Sequence, residues 1–152
     1  MAEQDRPQPE VSLPTLLRVA RQVYGAAIRR DLAIAGFDDI PESGLFVIGA
    51  IARNRSGAPL SRLIRGLGVS KQVAGQLVDT LVLRGYASRE MDSEDRRRLT
   101  IAASERGRAA AQVMRATIER IDANLAARVG ADAIAQTRAT LLALITSRDD
   151  HS

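Results

Sequence analysis

The chain lacks cysteine and tryptophan altogether, and it carries one histidine and few aromatic residues. Without cysteine it has no disulfide framework, no thiolate zinc site and no thiol redox switch. Aromatics make up only 3% of 152 residues. The expected core is therefore Leu, Ile, Val and Ala, and stacking recognition of a ligand has little to work with. The lone histidine, His151, falls among the last residues, where no metal or catalytic role is expected. No apolar run approaches the ~18 residues needed to span a membrane. The first ten residues, MAEQDRPQPE, are polar and proline-punctuated with no signal-like apolar stretch, so a cytoplasmic protein is expected. No phosphate-cradling glycine loop, paired carboxylates in apolar context or nucleophile–histidine pair stands out, so neither an enzyme nor a cofactor is expected.

What is present is positive charge, and its distribution matters more than its total. Net charge is +4, and the base is nearly all arginine, with Lys71 the only lysine. Between Arg53 and Arg98 there are ten basic residues against five acidic ones. The rest of the chain is close to neutral. Positive charge gathered in the middle third is the pattern of a local polyanion-binding face.

The hydrophobic spacing predicts helices on both sides of that third. Residues 1–10 read as a disordered tail. Leu13, Leu16, Leu17, Ala20, Val23, Tyr24, Ala27, Ile28 and Leu32 follow a helical period, ended by Gly36. Pro41 suits the first turn of a second helix through Phe46 and Ile51. Arg53–Pro59 reads as a polar turn. Ser61–Arg65 form a short helix, and Gly66 and Gly68 bracket a turn. Ser70 caps the next helix, which Gly85 stops. Tyr86–Met91 and Leu99–Ala102 are short strands joined by DSEDRRR. Ser104 caps a long helix to Arg128, Gly130 breaks it, and a last helix runs to about Ser147. The terminal helices carry more apolar stripe than a small module can cover, which points to a second copy of the chain.

Val69 to Gly107 holds the functional signal. A helix enters the DNA major groove when its first turns carry short or polar side chains. Here these are Ser70, Lys71, Gln72, Val73, Gly75 and Gln76. Gln can pair with adenine, Lys with guanine, and Val73 can meet a thymine methyl. Gly75 allows close approach to the bases at about 1 kcal/mol of helix propensity. Ser70 and the free N–H groups beside it suit a phosphate. Arg96, Arg97 and Arg98 on a tight hairpin tip suit a narrow minor groove, with Asp95 placed to orient Arg97 by an ion pair. Arg62 is a further candidate for a phosphate.

The stretch Leu60–Tyr86, followed by Asp95-Arg96-Arg97 and by Ser104-Glu105-Arg106-Gly107, resembles the MarR family of bacterial transcriptional regulators over about Leu13 to Ser147. The resemblance implies a mainly α fold with a small β-hairpin wing: a winged helix-turn-helix with interleaved N- and C-terminal dimerisation helices. In domain terms, 11–148 is one domain, with dimerisation helices over 11–36 and 104–148 and a DNA-binding lobe over 41–103. It implies a homodimer on a pseudo-palindromic operator, with the helix from Ser70 reading the major groove, Arg97 as the wing arginine and Asp95 positioning it. Two departures stand out. Ala103 and Ser104 replace the family's Leu-Thr, loosening the packing but keeping the cap. The absence of cysteine excludes the family's oxidation-sensing branch. Regulators of this kind often bind a small effector between the dimer helices and the lobe. Tyr24, Ile28, Phe37, Phe46 and Met114 are candidates to line such a pocket, or else simply core. The rival reading is a winged-helix module whose basic face meets an acidic protein partner and no DNA.

Overall fold

In the computed structural model, which describes residues 11–92, 95 and 98–147, the elements follow the order just read, with one addition. They are α1 (Leu13–Ile34), α2 (Glu42–Ala52), β1 (Ala58–Pro59), α3 (Leu60–Leu67), α4 (Lys71–Leu83), β2 (Ala87–Met91), β3 (Leu99–Ala103), α5 (Glu105–Val129) and α6 (Ala131–Thr146). The chain divides into two compact units, residues 1–114 and 115–152, and α5 runs from the first into the second. No helix among the described residues is long and apolar enough to cross a membrane.

The first unit is built on an aliphatic core. Leu32 of α1, Val47, Ile48 and Ile51 of α2, Leu63 of α3, Val78 and Leu81 of α4, and Ile101 of β3 are almost fully buried. One aromatic joins them: Tyr86 has no exposed surface and is the largest fully buried side chain. Burying such groups supplies the main folding force, about 1.5–3 kcal/mol for a large aliphatic side chain.

The sheet has three antiparallel strands in the order β1-β3-β2. Ala58 pairs with Ile101 and Pro59 with Thr100, while β2 and β3 pair from Ala87–Ala103 to Met91–Leu99. The sequence predicts a turn over the whole of Arg53–Pro59. Its last two residues are instead an edge strand, a position where proline is tolerated because no ladder donor is needed on the open side.

α3 and α4 form a helix-turn-helix. Gly68 closes α3 in the left-handed region (φ 65, ψ 29), and its N–H donates to the Ile64 carbonyl. Ser70 then starts α4, its Oγ accepting from the Val73 N–H at 3.2 Å. Gly66 is not part of the turn but lies inside α3. A Cβ there would come within 2.4 Å of the Phe46 ring, so the missing side chain serves helix packing.

The second unit comprises the remainder of α5 and α6, with Gly130 (φ 90) between them. Arg138 and Asp122 pair at 2.7 Å. No residue of α6 is buried, and Leu125, Val129, Leu142, Leu144 and Ile145 are exposed.

Candidate nucleic-acid interface and ligand cavity

The pattern of α4 turns one face inward. Ala74, Val78 and Leu81 are buried, which leaves Lys71, Gln72, Val73 and Gln76 exposed on its leading turns. A Cβ added at Gly75 would have no heavy atom within 4 Å, so this turn of α4 is open where a side chain would stand. The Ser70 oxygen accepts the capping bond, and its hydroxyl proton stays available to an acceptor such as a phosphate oxygen. Arg62 is exposed on α3.

The hairpin beyond α4 is closed by backbone bonds near its tip. The Asp92 N–H donates to the Arg98 carbonyl at 3.0 Å, and the Arg98 N–H to the Asp95 carbonyl at 2.8 Å. Asp95 and Arg98 are exposed at that tip. Arg96 and Arg97 lie outside the described residues, and so does the expected pairing of Asp95 with Arg97. Farther down the hairpin, Arg89 of β2 donates to Asp79 of α4. That exposed ion pair ties wing to helix but contributes only about 0–1 kcal/mol.

A polar cluster that the sequence reading missed sits at the other end of α4. The Tyr86 hydroxyl donates to the Asp39 carboxylate. Arg106 donates to the same carboxylate oxygen at 3.2 Å and to the Tyr86 hydroxyl at 2.9 Å. Arg84 donates to the Asp39 backbone carbonyl. The Arg106 guanidinium lies 4.6 Å over the Tyr86 ring and 5.8 Å from that of Phe37, and these two rings meet edge-on at 6.2 Å. The α1–α2 loop, the end of α4 and the start of α5 are thereby tied together. The hydrogen bond from Tyr86 and the nearby Arg106 hold Asp39 below the ordinary carboxylate value, against an opposing desolvation effect. Burial, followed by the bond to Asp39, pushes Tyr86 above its ordinary value.

Ser104 completes that corner. Its hydroxyl donates to the Gly85 carbonyl at 2.6 Å and accepts from the Gly107 N–H at 3.0 Å, while its own N–H donates to the Tyr86 carbonyl. The cap expected of Ser104 is present. Ala103, the first of the two departures from the family's pattern, is buried.

The first unit also holds a cavity of about 690 Å³ between α1, α2 and the end of α3. Among the five candidate pocket residues, Tyr24, Ile28 and Phe46 line it. Phe37 and Met114 do not: Phe37 packs on Tyr86, and Met114 belongs to the buried core. The sequence reading did not single out the charged part of the lining, which is Arg18, Arg21, Arg29 and Glu42, with Arg29 and Glu42 paired at 3.2 Å.

Residues 39–98 match the model of the MarR family. No curated protein matches the sequence. Among solved structures, the fold is similar to CouR from Rhodococcus jostii RHA1 bound to p-coumaroyl-CoA, at 22% identity and TM-score 0.74, covering 91% of this chain and 95% of that one. It is similar to S. aureus MepR in complex with DNA, at 17% identity and TM-score 0.71, covering 91% and 99%. It is also similar to S. aureus MepR bound to ethidium bromide, at 17% identity and TM-score 0.60, covering 92% and 99%. Identities this low speak for a shared fold. These structures carry the mainly helical architecture with its small antiparallel sheet.

Proposed function

We propose that the chain, whose residues 39–98 match the model of the MarR family, is a sequence-specific DNA-binding transcriptional regulator of that family acting as a homodimer. The observation that carries this reading is α4: a Ser70-capped helix with Lys71, Gln72, Val73 and Gln76 exposed, open space at Gly75, and a closed arginine-bearing hairpin directly after it. In this reading α4 enters the major groove, and Arg96, Arg97 and Arg98 reach the minor groove with Asp95 orienting Arg97. Arg62 holds a phosphate. A likeness to MepR bound to DNA supports the same use of the fold.

The partner is a second copy. Leu13, Leu16, Val19 and Val23 of α1 are exposed, as are Leu142, Leu144 and Ile145 of α6, and a matching pair of chains would cover them. A two-fold dimer then presents two α4 helices to half-sites one helical turn apart, ~34 Å. The regulator acts as a repressor, and a small molecule in the cavity between α1, α2 and α3 relieves it by changing the spacing of the reading helices. CouR bound to p-coumaroyl-CoA and MepR bound to ethidium bromide support a ligand-responsive fold.

Selection of bound duplexes from a random library, followed by gel shifts over a salt series, tests the reading. The expected result is one enriched pseudo-palindrome, bound with a steep salt dependence of about −0.9 log units per phosphate contacted. No enriched sequence at any salt, together with capture of acidic polypeptides by the basic face, would replace it with the protein-interaction reading.

A further inference from the structure

A second cavity, of about 450 Å³, lies at the end of β3 away from the hairpin tip. Its lining is Ile51 and Ala52 from the end of α2, Asn54 and Arg55 from the turn that follows, Ala103 of β3 and Arg108 of α5. The wall is aliphatic, with Ile51 and Ala103 buried. The rim is basic. Arg108 is anchored, its guanidinium donating to the Ala103 carbonyl at 2.6 Å, a bond that takes one of five N–H donors. Neither Arg55 nor Arg108 has an acidic partner among the described residues. The neighbouring Arg53 is already engaged, since its Nε–H donates to the Gly49 carbonyl at 3.2 Å. The C-terminus of α2 sets only about half an elementary charge against the two guanidiniums.

The turn that carries Asn54 and Arg55 is fixed to the sheet. The Gly57 N–H donates to the Asn54 carbonyl at 3.0 Å. Gly57 (φ 73) lies so close to β3 that a Cβ there would stand 2.2 Å from the Ile101 carbonyl oxygen. Ala58 then pairs with Ile101. Asn54 and Arg55 therefore start from a set backbone, and binding has only side chains to order.

We propose that this cavity binds the phosphate monoester group of a small aliphatic metabolite. Guanidinium forks match an oxyanion bidentately, and the Asn54 amide supplies a further donor. A phosphate monoester carries about −1.5 to −2 at pH 7, which balances two arginines where a carboxylate leaves one over. The volume falls within the range of small-molecule sites, about 300–1,000 Å³, so a body accompanies the group. That body lies on Ile51, Ala52 and Ala103, and no aromatic ring among the described residues lines the cavity to stack a base. A ligand bridging Arg55 and Arg108 fastens the turn before β1 to α5, and so holds both neighbours of the strand that leads to the hairpin tip. The consequence for DNA rests on the regulator reading above, whereas the binding itself does not. A backbone phosphate of DNA offers related chemistry as a singly charged diester, and the variants separate the two sources.

Saturation-transfer NMR on the full chain without DNA compares monobutyl phosphate with neutral 1-butanol, with inorganic phosphate as competitor. The monoester is expected to bind at one site per chain, about tenfold more tightly than the alcohol. Inorganic phosphate should displace it but bind severalfold more weakly, because it leaves the aliphatic wall uncovered. Arg55→Gln should cost the monoester about tenfold. Asn54→Asp sets a carboxylate beside the guanidiniums with little change in size, and should abolish binding while Tm is retained. Arg53→Gln removes the same charge two positions away and should leave binding close to the parent's. In operator binding, Arg55→Gln should keep the parent's salt slope. Equal affinity for monoester and alcohol, or for monoester and inorganic phosphate, overturns the proposal. So does a signal that survives Asn54→Asp, or a loss from Arg53→Gln as large as that from Arg55→Gln. A salt slope flattened by about 1 in Arg55→Gln assigns the arginine to a DNA phosphate and overturns it too. A parent chain that binds no operator sinks the regulator reading alone, and the probe series then decides this inference by itself.

Discussion

Alanine placed at two helical glycines should move stability in opposite directions. Gly107 lies in the first turn of α5 and Gly75 in the middle of α4. An alanine in an open helical position is favoured over glycine by up to about 1 kcal/mol. At Gly75 nothing opposes that gain, because no atom lies within 4 Å of the added methyl. At Gly107 the methyl would sit 2.0 Å from the Tyr86 carbonyl oxygen. Contacts below 3.0 Å are essentially never made, so α5 and the Tyr86 backbone must part by about 1 Å or more, as overpacked sites do. That carbonyl also accepts the Ser104 N–H at 3.1 Å, and the movement strains this bond too. Overpacking of this kind costs about 1–3 kcal/mol, which outweighs the propensity gain. For a chain of 152 residues, each kcal/mol moves Tm by about 2–4 °C. Gly75→Ala should therefore raise Tm by up to that amount, and Gly107→Ala should lower it by about 2–8 °C. The assay is thermal unfolding by circular dichroism at one fixed protein concentration, because the proposed dimerisation would make Tm concentration-dependent. Gly75→Ala should weaken operator affinity despite greater stability, since its methyl enters the space reserved for bases. A Gly107→Ala protein as stable as the parent would refute the close approach of α5 to Tyr86. A Gly75→Ala protein with undiminished affinity would refute the placement of that turn in the groove.

Asp39 is held below its ordinary value of 3.8, so its contribution is complete above that pH and is lost as pH falls through the lower folded value. Denaturant unfolding between pH 6 and pH 3 should show an acid-dependent loss in the parent that is smaller in Asp39→Asn; parallel profiles would remove Asp39 from the stability argument. Tyr86→Phe takes away a fully buried hydroxyl that joins Asp39 to Arg106, and should cost about 1–2 kcal/mol in urea unfolding. An unchanged midpoint would mean that the aromatic contacts alone hold the corner. Arg97→Ala should weaken operator binding across sequences and flatten the salt slope by about 1 without changing Tm; an unaltered slope would refute its phosphate or groove contact. Gln72→Ala and Gln76→Ala should instead relax the preferred sequence in a repeated selection, and an unchanged consensus in both would mean that another face reads the bases.

Local signals carried most of the fold. Ser70 and Ser104 cap helices because their oxygens reach the N–H groups three residues on, at Val73 and Gly107. Gly36, Gly85 and Gly130 end or separate helices because they adopt positive φ. What sequence reading missed is non-local. β1 is two residues long, too short for any period, and pairs with a strand more than forty positions away. Gly66 looked like a turn residue because the Phe46 ring that demands it comes from another helix. The Asp39 cluster joins residues 47 and 67 positions apart, and none of its members is unusual alone. The exposed face of α4 was legible because helical spacing sorts Ala74, Val78 and Leu81 from Lys71, Gln72 and Gln76. The charged side of the cavity was not, because Arg18, Arg21 and Arg29 acquire meaning only once Glu42, Phe46 and Gly66 close around them.

The solitary lysine gives the protein an unusual chemical economy. Apart from the chain's amino terminus, Lys71 offers the only amine among its side chains, and it is exposed at the first position of α4. An amine-selective acylating reagent therefore has one side-chain target in these 152 residues, and that side chain lies on the face assigned to the groove. The mass added at Lys71 counts the fraction of molecules whose reading helix is open to solvent. The same acylation erases a charge and adds bulk at that point alone, so on the proposed reading a single covalent event would label the face and silence it.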